Sequence, residues 1–224
     1  MIKFYYNLAP NPTKVALCLE EMGLPYELMP VDTRKGEQHT PQFLAINPNA
    51  KVPAIVDDGD TVFDSNAILL YLAEKTAKFL SPKRGAMLSW LMFVASGIGP
   101  YSGQAVHFRN VAPEPKDYAV NRYTFEAQRH AGILDARLAK HKYMLGDTYT
   151  IADMNVWGWS RMLPNVVGEG AWDKYKNLKR LVDEINARPA AQKASGLKDR
   201  HKFKTEMDQE ALHAMFPHLK EKVA

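Results

Sequence analysis

Lys51-Val52-Pro53-Ala54-Ile55-Val56-Asp57-Asp58-Gly59-Asp60-Thr61-Val62-Phe63-Asp64-Ser65 is the stretch on which the fold turns. Val52 to Val56 and Thr61 to Phe63 are short β-branched and aromatic runs, and Asp57-Asp58-Gly59-Asp60 between them has the composition of a hairpin turn. Ser65 is placed to cap a helix whose Ile68, Leu69 and Leu72 face inward. Pro53 cannot donate to a sheet ladder, so it belongs on an edge or in a cis bend.

Upstream, Ile2 to Tyr6 reads as a strand and Tyr26 to Val31 as a second one. Between them Asn11 is placed as an N-cap, with Pro12 at the first helical position. Val15, Leu19 and Met22 recur at helical spacing with Cys18 beside them, and Gly23 stops the run. The order β-α-β, loop, β-β-α predicts one mixed sheet with helices packed on it.

Downstream of Lys83 the pattern turns helical. The segment from Arg84 to Arg109 predicts a buried helix that breaks near Gly99-Pro100. Tyr118 to Lys140 predicts a long amphipathic helix, and Thr150-Ile151-Ala152-Asp153 a variant capping box opening the helix of Trp157 and Trp159. A further helix runs from Tyr175 to Arg188. Thr76 to Pro82 reads as the linker. In the tail from Lys198, Met207, Ala211, Leu212, Met215 and Phe216 keep helical spacing and predict a docking helix that covers the site or braces a dimer.

With 224 residues, 46% hydrophobic and 24% charged, the chain falls in the globular range. A net charge of +4 with no dense Lys/Arg run argues against nucleic acid. The uncharged stretch between Arg84 and Arg109 is too interrupted by Ser, Gly, Pro and Gln to span a bilayer. The N-terminus lacks a secretory apolar region, and one cysteine permits no internal disulfide or multi-thiolate metal site. The chain therefore reads as a soluble, cytoplasmic protein without a metal.

Four groups converge on the recognition of a small extended peptide. A cis bend at Val52-Pro53 frees main chain to pair with a peptide as an added strand; an edge-strand proline is the alternative. Asp64-Ser65 at a helix start offers N–H donors to a carboxylate and a carboxylate to an α-ammonium; an ordinary cap has the same appearance. In the loop Asn7 to Thr13, Asn11 can donate to a thiolate while capping the helix, at the strand end where ligands gather. Gln38 and Arg122 are long enough to reach a peptide carboxylate, and otherwise read as solvated surface.

Taken in order, Asn47-Pro48-Asn49-Ala50-Lys51-Val52-Pro53-Ala54-Ile55, Asp64-Ser65, Thr150-Ile151-Ala152-Asp153 and Arg188-Pro189-Ala190 resemble the glutathione transferase family. The resemblance implies a thioredoxin-like α/β N-terminal domain over residues 1–80, an all-α C-terminal domain over 86–224 with an extended tail, and a homodimer. It implies glutathione as co-substrate, its cysteinyl part on the Val52 main chain and its γ-glutamyl end at Asp64 and Ser65. Pro10-Asn11-Pro12-Thr13-Lys14, Lys35-Gly36-Glu37-Gln38, Gly99-Pro100-Tyr101-Ser102-Gly103-Gln104 and Arg122-Tyr123 are most similar to the bacterial Nu class, which includes disulfide-bond reductases. That likeness adds Asn11, Gln38 and Arg122 to the glutathione site, with Asn11 as the catalytic group. It also allows two glutathione molecules per site, which would exchange disulfides without a protein cysteine. Tyr101, Gln104 and Phe108 are expected around a second substrate.

Where the family places a hydroxyl or thiol beside the glutathione sulfur, this chain has Ala9, with Tyr6 as a reserve. Thiolate activation then rests on Asn11 and backbone N–H groups, which favours disulfide reduction, with weak transferase or peroxidase activity beside it, over efficient conjugation of electrophiles. A non-catalytic glutathione-binding protein and an enzyme dedicated to one metabolite are the competing expectations. Cys18, Trp157 and Trp159 read as core.

Overall fold

The computed structural model describes residues 1–112, 114 and 116–220. They divide into two compact units: one runs from Met1 to Ile68 and resumes at Lys193, and the other is Leu69–Gln192.

In the first unit, β1 (Ile2–Tyr6), β2 (Tyr26–Pro30), β3 (Ala54–Asp57) and β4 (Asp60–Phe63) form one sheet in the order β2-β1-β3-β4. β1 and β2 are parallel, with Phe4 opposite Leu28, while β3 pairs antiparallel with both β1 and β4. The mixed sheet expected from the sequence is therefore present. The β3–β4 hairpin is tighter than the four residues expected. Asp57 pairs with Asp60, and the turn is Asp58-Gly59, both at positive φ (52° and 97°), the conformation that favours Asp-Gly in a two-residue hairpin.

Helix α1 (Pro10–Met22) departs from expectation at its start. Its cap is Ala9, whose carbonyl accepts from Thr13 N (3.2 Å) and Thr13 Oγ1 (2.9 Å). Pro10, with its φ already suited to a helix, takes the first position. Asn11 therefore lies inside the helix and does not cap it. Gly23 ends the helix in the left-handed region (φ 69°), as its place in the sequence predicts.

Helix α2 (Ser65–Thr76) begins in the first unit and continues in the second. Then α3 (Arg84–Phe93) and α4 (Gly99–Asn110) are joined by a π-helical turn over Val94–Ile98. The break expected near Gly99-Pro100 is thus a widened turn in a continuing helix. Two residues account for it. Pro100 has no N–H for the ladder. Gly97 leaves room for the His130 ring, whose Nε2 would lie 2.3 Å from a Cβ there.

The second unit continues with α5 (Asp117–Leu138), α6 (Ile151–Ser160) and α7 (Lys176–Asn186), all within two residues of expectation. Trp157 is fully buried and donates from Nε1 to Asn186 Oδ1 (2.8 Å). Trp159 lies over Gly99 and Gly103. Among the described residues no helix is long and apolar enough to cross a membrane.

The tail is less helical than its spacing suggests. Among the described residues it forms α8 (Gln209–Met215) and a 3₁₀ turn over Pro217–Leu219; α8 is capped by Asp208, whose Oδ1 accepts from Ala211 N at 2.9 Å. The preceding residues run irregularly along the sheet unit. There Lys204 N donates to Asp32 Oδ2 (2.7 Å), and Arg34 Nη1 donates to the Lys204 carbonyl (2.8 Å).

Candidate functional site

The start of α2 is built around Asp64 at φ 69°, a left-handed conformation that aspartate tolerates better than most residues. Its Oδ1 accepts from Asn66 N (2.8 Å), Asn66 Nδ2 (2.9 Å) and Ala67 N (3.3 Å). Asp64 is therefore the cap, and Ser65, expected in that role, is the buried first residue of the helix. Asp64 itself is exposed, and its Oδ2 makes no hydrogen bond among the described residues.

Behind this turn lies Lys14, only 1% exposed, donating from Nζ to Asn66 Oδ1 at 3.2 Å. Burial pulls its pKa down to about 7, against the opposing pull of Asp64. Lys14, Asn66 and Asp64 thus place a buried amine, a helix start and an exposed carboxylate together. The exposed Asp64 carboxylate complements the ammonium of an α-amino acid head group, and Ser65 at the helix start is the donor left to face its carboxylate. The sequence reading missed Lys14, although its position four residues before Cys18 and eight before Met22 puts it on their buried face.

The Val52-Pro53 bond is cis. Ahead of it, Asn47 Nδ2 donates to the Lys51 carbonyl (2.6 Å) and Asn47 Oδ1 accepts from Asn49 N (3.0 Å), which explains the Asn-Pro-Asn run in terms of one side chain bracing a turn. β3 starts only at Ala54. The half-buried Val52 main chain is left without a hydrogen bond among the described residues, open to an extended peptide.

At the first turn of α1, two of the first three positions are proline, so Asn11 alone carries an N–H there. The expected set of backbone donors at this turn contracts to this residue. Tyr6, the reserve hydroxyl, is fully buried, its oxygen 2.7 Å from His201 Nδ1. Burial raises its pKa. Gln38, read as an extended polar arm, is also buried: Nε2 donates to the Ala214 carbonyl (2.9 Å), while Oε1 is buried without a partner among the described residues.

Arg122, Tyr101, Gln104 and Phe108 belong to the helical unit. Arg122 pairs with Glu126 one turn along α5, and that hydrogen bond raises its pKa. Phe108 stacks on Tyr123 (5.4 Å, 7°), and Tyr101 lies 5.2 Å from the His130 ring. Gln104 is exposed. No group of three or more His, Cys, Asp or Glu side chains suited to a metal occurs among the described residues.

Cys18, the single cysteine, is fully buried, and burial pushes its thiol well above the ordinary range. Native protein should therefore resist thiol-specific alkylation until it is denatured. Cys18→Ala should leave ligand binding and turnover intact; loss of turnover in a folded Cys18→Ala protein would assign the cysteine a chemical role.

Two family models match the chain: the glutathione S-transferase N-terminal domain over residues 9–75 and the C-terminal domain over residues 100–189. The protein belongs to the glutathione transferase family. It is 41% identical over 211 residues to the disulfide-bond oxidoreductase YfcG of Escherichia coli strain K12, covering 87% of this chain and 94% of that one. To the disulfide-bond oxidoreductase YghU of the same organism it is 37% identical over 214 residues, covering 86% and 73%.

Among solved structures, a glutathione transferase family member from Pseudomonas fluorescens with two glutathione bound superposes with TM-score 0.81 at 38% identity, covering 87% of this chain and 92% of that one. A Pseudomonas putida glutathione transferase with one glutathione disulfide per subunit gives TM-score 0.80 at 34% identity, covering 87% and 90%.

Proposed function

We propose that this protein is a glutathione-dependent disulfide-bond oxidoreductase whose reacting sulfurs all come from its ligands. The observation that carries the reading is the pairing of an amino-acid anchor at Asp64 and Ser65, braced from behind by Asn66 and Lys14, with the lack of an accessible protein thiol. Similar structures that hold two glutathione molecules or one glutathione disulfide support it.

In this scheme glutathione lies as an added strand on Val52, its γ-glutamyl head at Asp64 and Ser65 and its thiol toward Asn11. The thiolate attacks one sulfur of a substrate disulfide, forming a mixed disulfide and expelling a thiolate that takes up a proton. A second glutathione thiolate attacks the glutathione sulfur of that mixed disulfide and releases the other thiol. Two glutathione molecules are oxidised to one disulfide, and the substrate gains two electrons and two protons. Orientation of the sulfurs is the main contribution, which suits a site without a hydroxyl at Ala9.

The test is turnover of a small disulfide with glutathione, alongside calorimetry with reduced and oxidised glutathione. A hydrogen bond from the Asn11 side-chain amide to the thiolate contributes about 1.5–3 kcal/mol, so Asn11→Ala, which keeps the backbone N–H, should lower kcat/KM about tenfold to a hundredfold. An unchanged rate removes Asn11 from the mechanism, and absence of glutathione binding ends the proposal. Gln38 and Arg122 enter as further glutathione contacts, and Tyr101, Gln104 and Phe108 as contacts of the second substrate, on family resemblance. The proposed working form is a cytoplasmic homodimer.

A further inference from the structure

Lysine is rarely buried completely, because taking its amine out of water is costly. Lys14 is buried all the same, on the face of α1 that carries Cys18 and Met22. A methionine would fill the same space there without that cost. Packing alone therefore does not call for a lysine. Its bond to Asn66, a buried residue 52 positions further along the chain, does.

The Asn66 amide is held at both ends. Its Oδ1 accepts from Lys14 Nζ (3.2 Å), and its Nδ2 donates to Asp64 Oδ1 (2.9 Å). A primary amide has one accepting end and one donating end, so a donor on the lysine side leaves the donating end for Asp64. Asn66 N (2.8 Å) and Ala67 N (3.3 Å) donate to that same Asp64 oxygen. Three donors thus converge on Oδ1 and turn Oδ2 outward. Without the lysine, Asn66 Oδ1 would be buried and unsatisfied, and the side chain would gain by turning toward another donor. Nδ2 would then leave Asp64, whose carboxylate would keep two backbone donors and a less definite orientation.

We infer that Lys14 is a positioning residue for the head group of glutathione: through the Asn66 amide it fixes which oxygen of Asp64 meets the α-ammonium. It acts from behind the site, without touching the ligand. The inference rests on the proposed function, which places the γ-glutamyl end at Asp64 and Ser65. It adds a residue of α1 to recognition at the start of α2.

The experiment compares wild type, Lys14→Met, Asn66→Ala and the double variant, by calorimetry and by thermal unfolding. Each single variant should bind glutathione about threefold to tenfold more weakly, the effect of one hydrogen bond. N-acetylglutathione, which lacks the ammonium, should bind all four proteins alike. The double variant should bind glutathione no more weakly than either single one, because both residues act through one path. Lys14→Met orphans the Asn66 oxygen and should lower the melting temperature by about 3–8 °C. The double variant removes both partners and should regain most of that loss without regaining affinity. In turnover, KM should rise while kcat stays.

Equal losses for the two ligands, losses that add in the double variant, or affinity that returns with melting temperature would make Lys14 a structural residue and overturn the inference. If Lys14→Met does not fold, Asn66→Ala decides: unchanged glutathione affinity there overturns it. Wild type that binds and turns over glutathione, with no change in Lys14→Met, overturns the inference and leaves the proposed function standing. Wild type that binds no glutathione ends the proposed function, and Lys14 is then judged by the Asn66 side-chain amide protons. These should exchange with solvent faster in Lys14→Met than in wild type; equal protection overturns the inference.

Discussion

Replacing Asp64 by asparagine is expected to weaken glutathione binding about tenfold to a hundredfold, the loss of one hydrogen bond to a charged group, with little change in melting temperature. Asparagine tolerates the left-handed conformation at this position, and its amide oxygen can still accept from Asn66 N and Ala67 N. What disappears is the negative charge offered to the α-ammonium. Asp64→Ala differs, because it also removes the cap at a cost of about 1 kcal/mol and puts a poorly suited residue at positive φ. Calorimetry should place both variants near each other in affinity but apart in stability. A second ligand completes the comparison: N-acetylglutathione, which lacks the ammonium, should bind wild type and Asp64→Asn equally weakly. If Asp64→Asn binds glutathione as tightly as wild type, the γ-glutamyl head is not recognised at α2.

What the chain reveals before it folds, and what it hides, divides along contact range. The β3–β4 hairpin, the stop at Gly23 and the box at Thr150 depend on residues within a few positions, so composition and spacing expose them. The cap of α1 was misplaced because Asn11-Pro12 and Ala9-Pro10 both satisfy the local rule of a cap before proline. Only the conformation of the preceding loop, where Asn7 Oδ1 accepts from Ala9 N (3.0 Å), separates them. The widened turn after Phe93 depends on a ring from α5 filling the space at Gly97, a contact no window along α3 contains. Lys14 was legible only by helical register, against the strong expectation that lysine is solvated. In the tail, spacing exposed the helix Gln209–Met215 but not its docking: the contacts of His201 with Tyr6 and of Ala214 with Gln38 join residues 195 and 176 positions apart. The burial of Gln38 is therefore a property of the fold.

The largest stability effect is expected in the helical unit, at Asp153. Its carboxylate is fully buried and accepts three hydrogen bonds: Oδ1 from Met144 N (2.7 Å), and Oδ2 from Thr150 N (2.9 Å) and Thr150 Oγ1 (3.1 Å). It closes the box that starts α6 and ties that helix to the loop carrying Met144. In Asp153→Ala two buried backbone donors and a hydroxyl lose their acceptor, at about 1–3 kcal/mol for each unsatisfied group. A loss of roughly 4 kcal/mol, at about 2–4 °C per kcal/mol for a chain of this size, lowers the melting temperature by about 10 °C. Asp153→Asn recovers only part of this, since its amide nitrogen would face a donor.

The effect also depends on pH. Burial raises the Asp153 pKa to about 6, above its ordinary value of 3.8, although the three donors pull it down. A carboxyl shifted upward contributes most to stability below its ordinary pKa, and that contribution is lost as pH rises through about 6. The stability gap between wild type and Asp153→Ala should therefore be wider at about pH 5 than at about pH 8, as read by thermal unfolding at the two pH values. A gap that instead widens toward alkaline pH would mean that the three donors outweigh burial and hold Asp153 ionised in the folded protein.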